Sequence, residues 1–111
     1  MSLGEVSLTD RIPLVSFAGS HLEELRVTFD RESLMHCYFV ELVANSNQRS
    51  HRYRFSGVRN LVVEEGFSGS LADVCVSDIS SRNWDGVSVE VHKIGQDPGI
   101  TFLASSMEPC S

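Results

Sequence analysis

The chain has 111 residues, 41% hydrophobic and 22% charged, with fifteen acids against nine bases and a formal charge of −6. That size suits one domain that buries roughly 60–70% of its unfolded surface. The balance excludes a disordered chain, a membrane-spanning helix, and a phosphate-backbone binder lacking a local basic patch.

No basic-then-apolar leader opens the chain, so a cytoplasmic location is expected. Residues 1–10 and 108–111 are expected to be poorly ordered at the two ends of a single β-rich domain. Ser20-His21-Leu22-Glu23 fits a capping box, and HLEELRV could then form a short helix within residues 20–26. The same residues also alternate as one strand running into Val27 and Phe29, and the strand is the favoured reading. DRES has the composition of a tight hairpin loop. Leu34 to Val43 is apolar on both faces, as a central strand would be. NSNQRS, Asn45 to Ser50, reads as a longer polar loop.

The stretch HRYRFSGVRNLVVEE follows, with arginines and aromatics in alternation. Basic and aromatic residues together can bind single-stranded nucleic acid by charge and stacking. Period-two geometry opposes this, since Tyr53 and Phe55 share one strand face while Arg52 and Arg54 share the other. The pattern therefore reads as aromatics in and arginines out, and no nucleic-acid partner is expected. Ser56-Gly57 reads as a bulge that lets one long strand bend around the core.

VCVSDI makes a further strand, SRNWDG carries an Asp85-Gly86 turn signal, and Val87, Val89 and Val91 alternate with polar residues. GQDPG is another turn before a last strand at Ile100 to Ala104. Turn signals about 8–12 residues apart indicate a mainly β fold. The expected architecture is a single antiparallel meander of about six to eight strands, a curved sheet or partly open barrel, with at most one short helix near residues 20–26.

Three cysteines, Cys37, Cys75 and Cys110, are odd in number and lack a C-x-x-C pair, which suits free thiols. Cys37 and Cys75 read as small core residues. The four histidines, His21, His36, His51 and His92, show no H-x-H or H-x-x-x-H spacing, so no metal and no cofactor is expected. The F-S-G segments at Ser56 and Ser68 are turn compositions, and no nucleophile elbow is present. Glu23-Glu24 and Glu64-Glu65 are adjacent pairs, and adjacent strand residues point to opposite faces, so neither pair is expected to act together on one bond.

Three pieces of the layout resemble small bacterial β-rich domains of unknown function, several of which are classed among the immunity proteins of polymorphic toxin systems. They are Phe17-Ala18-Gly19-Ser20-His21-Leu22, then Phe55-Ser56-Gly57-Val58 with Leu61, and Asp78-Ile79 with Trp84-Asp85-Gly86 running on to Gly99–Ala104. Ala18-Gly19 stands where those domains carry an acidic residue. The resemblance implies a single-domain cytoplasmic binding protein that neutralises a partner by occlusion, and it carries over no catalytic residue.

The expectation is thus a non-enzymatic protein-interaction module, with Trp84, Asp85 and Arg82 as the partner-binding residues and a basic partner suited to the net charge. Trp84 would be either an anchor for that partner or a lid over the sheet edge, the lid being the favoured reading because large aromatics usually find intramolecular burial. Self-association through a strand edge is a further expectation. The alternative is a small-ligand pocket lined by Phe29, Tyr38, Tyr53 and Phe102. A hydrolase using His51 and a nearby carboxylate ranks last.

Overall fold

The computed structural model describes residues 11–32 and 37–110. Eight strands appear in order: β1 (Ile12–Ser16), β2 (His21–Phe29), β3 (Tyr38–Ser46), β4 (Arg49–Val63), β5 (Val74–Asp78), β6 (Val89–Lys93), β7 (Ile100–Ala104) and β8 (Ser106–Cys110). One 3-10 turn, Ser80–Arg82, precedes β6. The strands form a single antiparallel sheet in the order β1-β5-β6-β7-β4-β3-β2, with β8 also pairing with β4. This is the expected curved antiparallel meander, in two runs, β2-β3-β4 and β5-β6-β7, and it does not close into a barrel.

β4 organises the molecule. Fifteen residues of straight strand would extend about 50 Å, at roughly 3.3 Å per residue, so β4 must bend to wrap one core. The bend falls at Gly57 (φ 62°) and Asn60 (φ 57°). Before it, residues 52–56 pair with β8; beyond it, Arg59, Val62 and Val63 pair with β7. The β7–β8 run bends at the same level, where the Ser105 N–H donates to the Ser56 carbonyl at 2.9 Å. The Ser56-Gly57 interruption is therefore a hinge in one continuous strand.

Alternation then selects the core. Register sets Val40 against Phe55 and Leu42 against Tyr53 on the concave face. From β5, β6 and β7 come Val74, Val76, Val89, Val91, Ile100, Phe102 and Ala104. Phe55 and Phe102 meet edge to face at 4.8 Å, the geometry favoured by the ring quadrupole. The convex face of β2-β3-β4 is an ion-pair lattice. Arg52 reaches Glu24 (3.9 Å) and Glu41 (3.6 Å), and the Arg54 guanidinium lies 5.0 Å from the Phe39 ring centre. Arginines out and aromatics in describes β4 as it is.

Residues 21–26 lie in β2, directly after Ser20, so the helix alternative does not form. β-Branched and aromatic residues at Val27, Thr28 and Phe29 and the long β3 partner prevail over the capping signal. The loop expected at Asn45–Ser50 shrinks to Asn47-Gln48, both at positive φ (53° and 66°), as a two-residue hairpin requires. Asn45 and Ser50 extend the ladder instead and both donate to Glu23, at 3.1 and 2.7 Å.

Residues 108–110 belong to β8, whose ladder with β4 and whose Met107 packed against the core hold it in place. Cys37 is buried as expected. Cys75 faces the convex side between Ser16 and His92, because Val74 and Val76 take the core positions on either side of it. Residues 1–10, 33–36 and Ser111, which include the end of the expected DRES loop and the start of the expected Leu34–Val43 strand, lie outside the described residues.

Candidate functional site

The SRNWDG segment is fixed at both ends and presents its middle to solvent. Ile79 and Val87 are buried anchors, and the Ile79 N–H donates to the Ser88 carbonyl at 2.8 Å. The Asp78 carboxylate accepts from the Ser80 N–H (2.8 Å) and hydroxyl (2.6 Å), which holds Asp78 below the usual carboxylate range. Asn83 takes a left-handed φ of 57°, closing the 3-10 turn. Gly86 at φ 72° allows the Val87 N–H to return to the Trp84 carbonyl at 3.1 Å. From the bend in β4, the Arg59 guanidinium donates to the Asp85 carbonyl at 3.3 Å.

Trp84 is consequently placed by backbone rather than by burial. It remains 48% exposed, with the Arg82 guanidinium 4.9 Å from its ring centre. An indole this exposed is not a lid over the sheet. Beside it lies an open depression of about 280 Å³, lined by Asn60, Trp84, Glu90, His92, Thr101 and Leu103 on the convex face. Glu90 holds Arg11 at 2.9 Å and Arg82 at 3.6 Å, so its carboxylate is already shared.

His92 stands two residues beyond Glu90 on the same face, and its Nε2 lies 2.9 Å from the Ser77 hydroxyl. Burial, and secondarily the Arg11 charge, hold His92 below the ordinary histidine pKa. Its Nδ1 is buried without a hydrogen-bond partner. The contact has the outline of a nucleophile and base, but Ser77 is only 3% exposed, so no substrate carbonyl can approach its oxygen. Its role is to satisfy a buried hydroxyl.

Of the expected residues, Trp84, Asp85 and Arg82 do stand together. The other constellations do not assemble. Phe102 is packed in the core and Tyr53 is half-buried against it, while Phe29 and Tyr38 pair with each other in an exposed position, so the four line no common pocket. His51 lies opposite Ala44, Asp78 bonds Ser80, and Asp73 packs against Gly95. Ser68 accepts from the Ser70 N–H within a turn.

Glu23 and Glu24 share the convex face, contrary to regular alternation, because a bulge inserts Glu23 between Leu22 and Glu24. Each glutamate has its own partners, Asn45 and Ser50 for Glu23, and Arg26 and Arg52 for Glu24. Among the described residues no group of histidine, cysteine and carboxylate side chains could hold a metal ion. No described helix is long and apolar enough to cross a membrane.

Sequence reading missed Asn60, Glu90 and His92 as neighbours of Trp84, and Ser77 as the partner of His92. The alternating polar residues of β6 were a signal, but only the pairing of β6 with β5 and β7 gives them company. In comparisons with known proteins, no family model, curated protein or solved structure matches the chain.

Proposed function

We propose that this domain is a non-enzymatic protein-interaction module that acts in the cytoplasm by occluding a partner, as an immunity-like protein would. The observation that carries the reading is Trp84: a half-exposed indole held by a rigid turn beside an open depression. Buried-area anchors of binding interfaces are enriched in Trp, Tyr and Arg and sit at the centre of such patches. Arg82 stacked beneath the ring and Asp85 next to it supply the polar surround. The packed core speaks against the small-ligand alternative, and the burial of Ser77 against a nucleophile built on the Ser77–His92 contact.

Charge refines the partner. Near Trp84, Glu90 pairs with both Arg11 and Arg82, and Arg59 donates to the Asp85 carbonyl, so acids and bases are mixed on the contact face. Part of the acidic excess, Glu64, Asp73 and Asp97, lies near Lys93 at the far end of β6. A basic partner would be drawn by the net charge of −6 at long range and docked by an apolar anchor at short range.

The test uses the product of the gene adjacent to this one, co-purified and titrated by calorimetry. Trp84→Ala is expected to weaken the complex by about 30-fold or more, the effect of a 2 kcal/mol anchor, while leaving the thermal midpoint unchanged. Equal affinity for the variant, or an adjacent metabolic enzyme that does not bind, would overturn the reading.

A further inference from the structure

A sheet that does not close leaves edges, and natural edges carry devices that discourage pairing with another chain. Among the described residues four edges remain. β1 has Pro13 and a bulge at Leu14. β8 has Pro109. The second half of β4 is interrupted by the left-handed Asn60. β2 differs, since from Glu24 to Phe29 it pairs with β3 in unbroken one-to-one register and contains no proline.

The direction of its backbone follows from one hydrogen bond. The Asp30 N–H donates to the Cys37 carbonyl at 3.1 Å, making that pair a hydrogen-bonded one. In an antiparallel ladder such pairs alternate. Thr28 and Arg26 therefore also bond β3, while Leu25, Val27 and Phe29 turn their N–H and C=O groups outward. The same three residues point their side chains to the concave face. There Val27 is 44% and Phe29 49% exposed, with Tyr38 edge to face on Phe29 at 5.9 Å.

We propose that the β2 edge is a homodimerisation surface, in which Leu25–Phe29 pairs antiparallel with the same segment of a second copy about a twofold axis at Val27. The segment LRVTF is self-complementary in this register, which sets its three apolar residues against one another. Leu25 meets Phe29 of the second copy, Val27 meets Val27, and each of these pairs is of the hydrogen-bonded kind. Arg26 meets Thr28. Moving the axis to Arg26 would set two arginines opposite each other, a destabilising cross-strand pair. Moving it to Leu25 would run Val27 into the Glu23 bulge. The exposed apolar side chains of both copies then form one strip across the axis, and a five-residue ladder of this kind makes a weak, concentration-dependent dimer.

Sedimentation velocity of the full chain from about 10 µM to 1 mM tests this, together with amide hydrogen exchange at both concentrations. The wild type is expected to shift from monomer to dimer over that range, with the Leu25, Val27 and Phe29 amides slowing at least tenfold. Val27→Pro removes an outward N–H without removing a bond to β3, and Val27→Lys places charge on the axis; both are expected to remain monomeric at 1 mM. Trp84→Ala should dimerise like wild type, which keeps this surface separate from the partner site. A wild type monomeric at 1 mM overturns the proposal. So do Val27 variants that dimerise normally, loss of the dimer in Trp84→Ala, or the three amides being protected already at the lowest concentration, which would mean that the chain covers its own edge.

Discussion

Replacing Gly57 by alanine tests the claim that one residue lets β4 serve both halves of the sheet. Two costs arise there. A non-glycine residue at φ 62° incurs about 1–2 kcal/mol of backbone strain. The added methyl would also lie 2.9 Å from Ser105 Cβ and against its hydroxyl oxygen, an overlap of the kind that costs about 1–3 kcal/mol when the surroundings must shift. Together these give about 2–5 kcal/mol, a large part of the total stability of a small domain. Urea unfolding followed by circular dichroism measures it. Gly19→Ala is the control, since Gly19 has φ 76° but open space around it, and should show only the backbone part. In the double variant Gly57→Ala/Ser105→Gly the overlap is gone, so the loss should be at least about 1 kcal/mol smaller than the sum of the two singles. Gly57→Ala as mild as Gly19→Ala, or strictly additive singles, would refute the account of the bend.

Two other outcomes follow from the core and from the convex face. Phe55→Ala removes a fully buried ring that meets Phe102 edge to face, and should cost about 3–5 kcal/mol, leaving the chain largely unfolded at 37 °C by circular dichroism. His92 resists protonation in the folded state, whereas the unfolded chain takes up the proton near pH 6.5. Stability from neutral His92 is therefore complete above about pH 7 and is lost as pH falls below 6.5 toward the folded value. The thermal midpoint of wild type should drop more steeply between pH 7 and 5 than that of His92→Gln, and superimposable profiles would show that His92 is not the titrating group. The carboxylates Glu23, Glu64 and Asp78, all held low by hydrogen bonds, lose their contribution only at more acidic pH.

The separation of Arg52 and Arg54 from Tyr53 and Phe55, the core positions Val89 and Val91, and the break at Ser56-Gly57 were legible in the sequence. Each depends on strand periodicity or on a residue's own φ, which are local properties. The loop at Asn47-Gln48 was misjudged because the ladder partners Asn45 and Ser50 find Glu23 only across the sheet. The C-terminal strand was invisible for the same reason: nothing in Met107–Cys110 favours a strand until β4 offers its edge.

The candidate site divides along the same line. Trp84, Asp85 and Arg82 are neighbours in the chain, so composition was enough to pick them out. The depression beside Trp84, the Glu90 carboxylate shared by Arg11 and Arg82, and the Ser77–His92 contact come from four strands and exist only once β5, β6, β7 and β4 are in register. Local alternation set which side of each strand is apolar; the long-range pairing of strands, which no period in the sequence encodes, decided which polar residues meet.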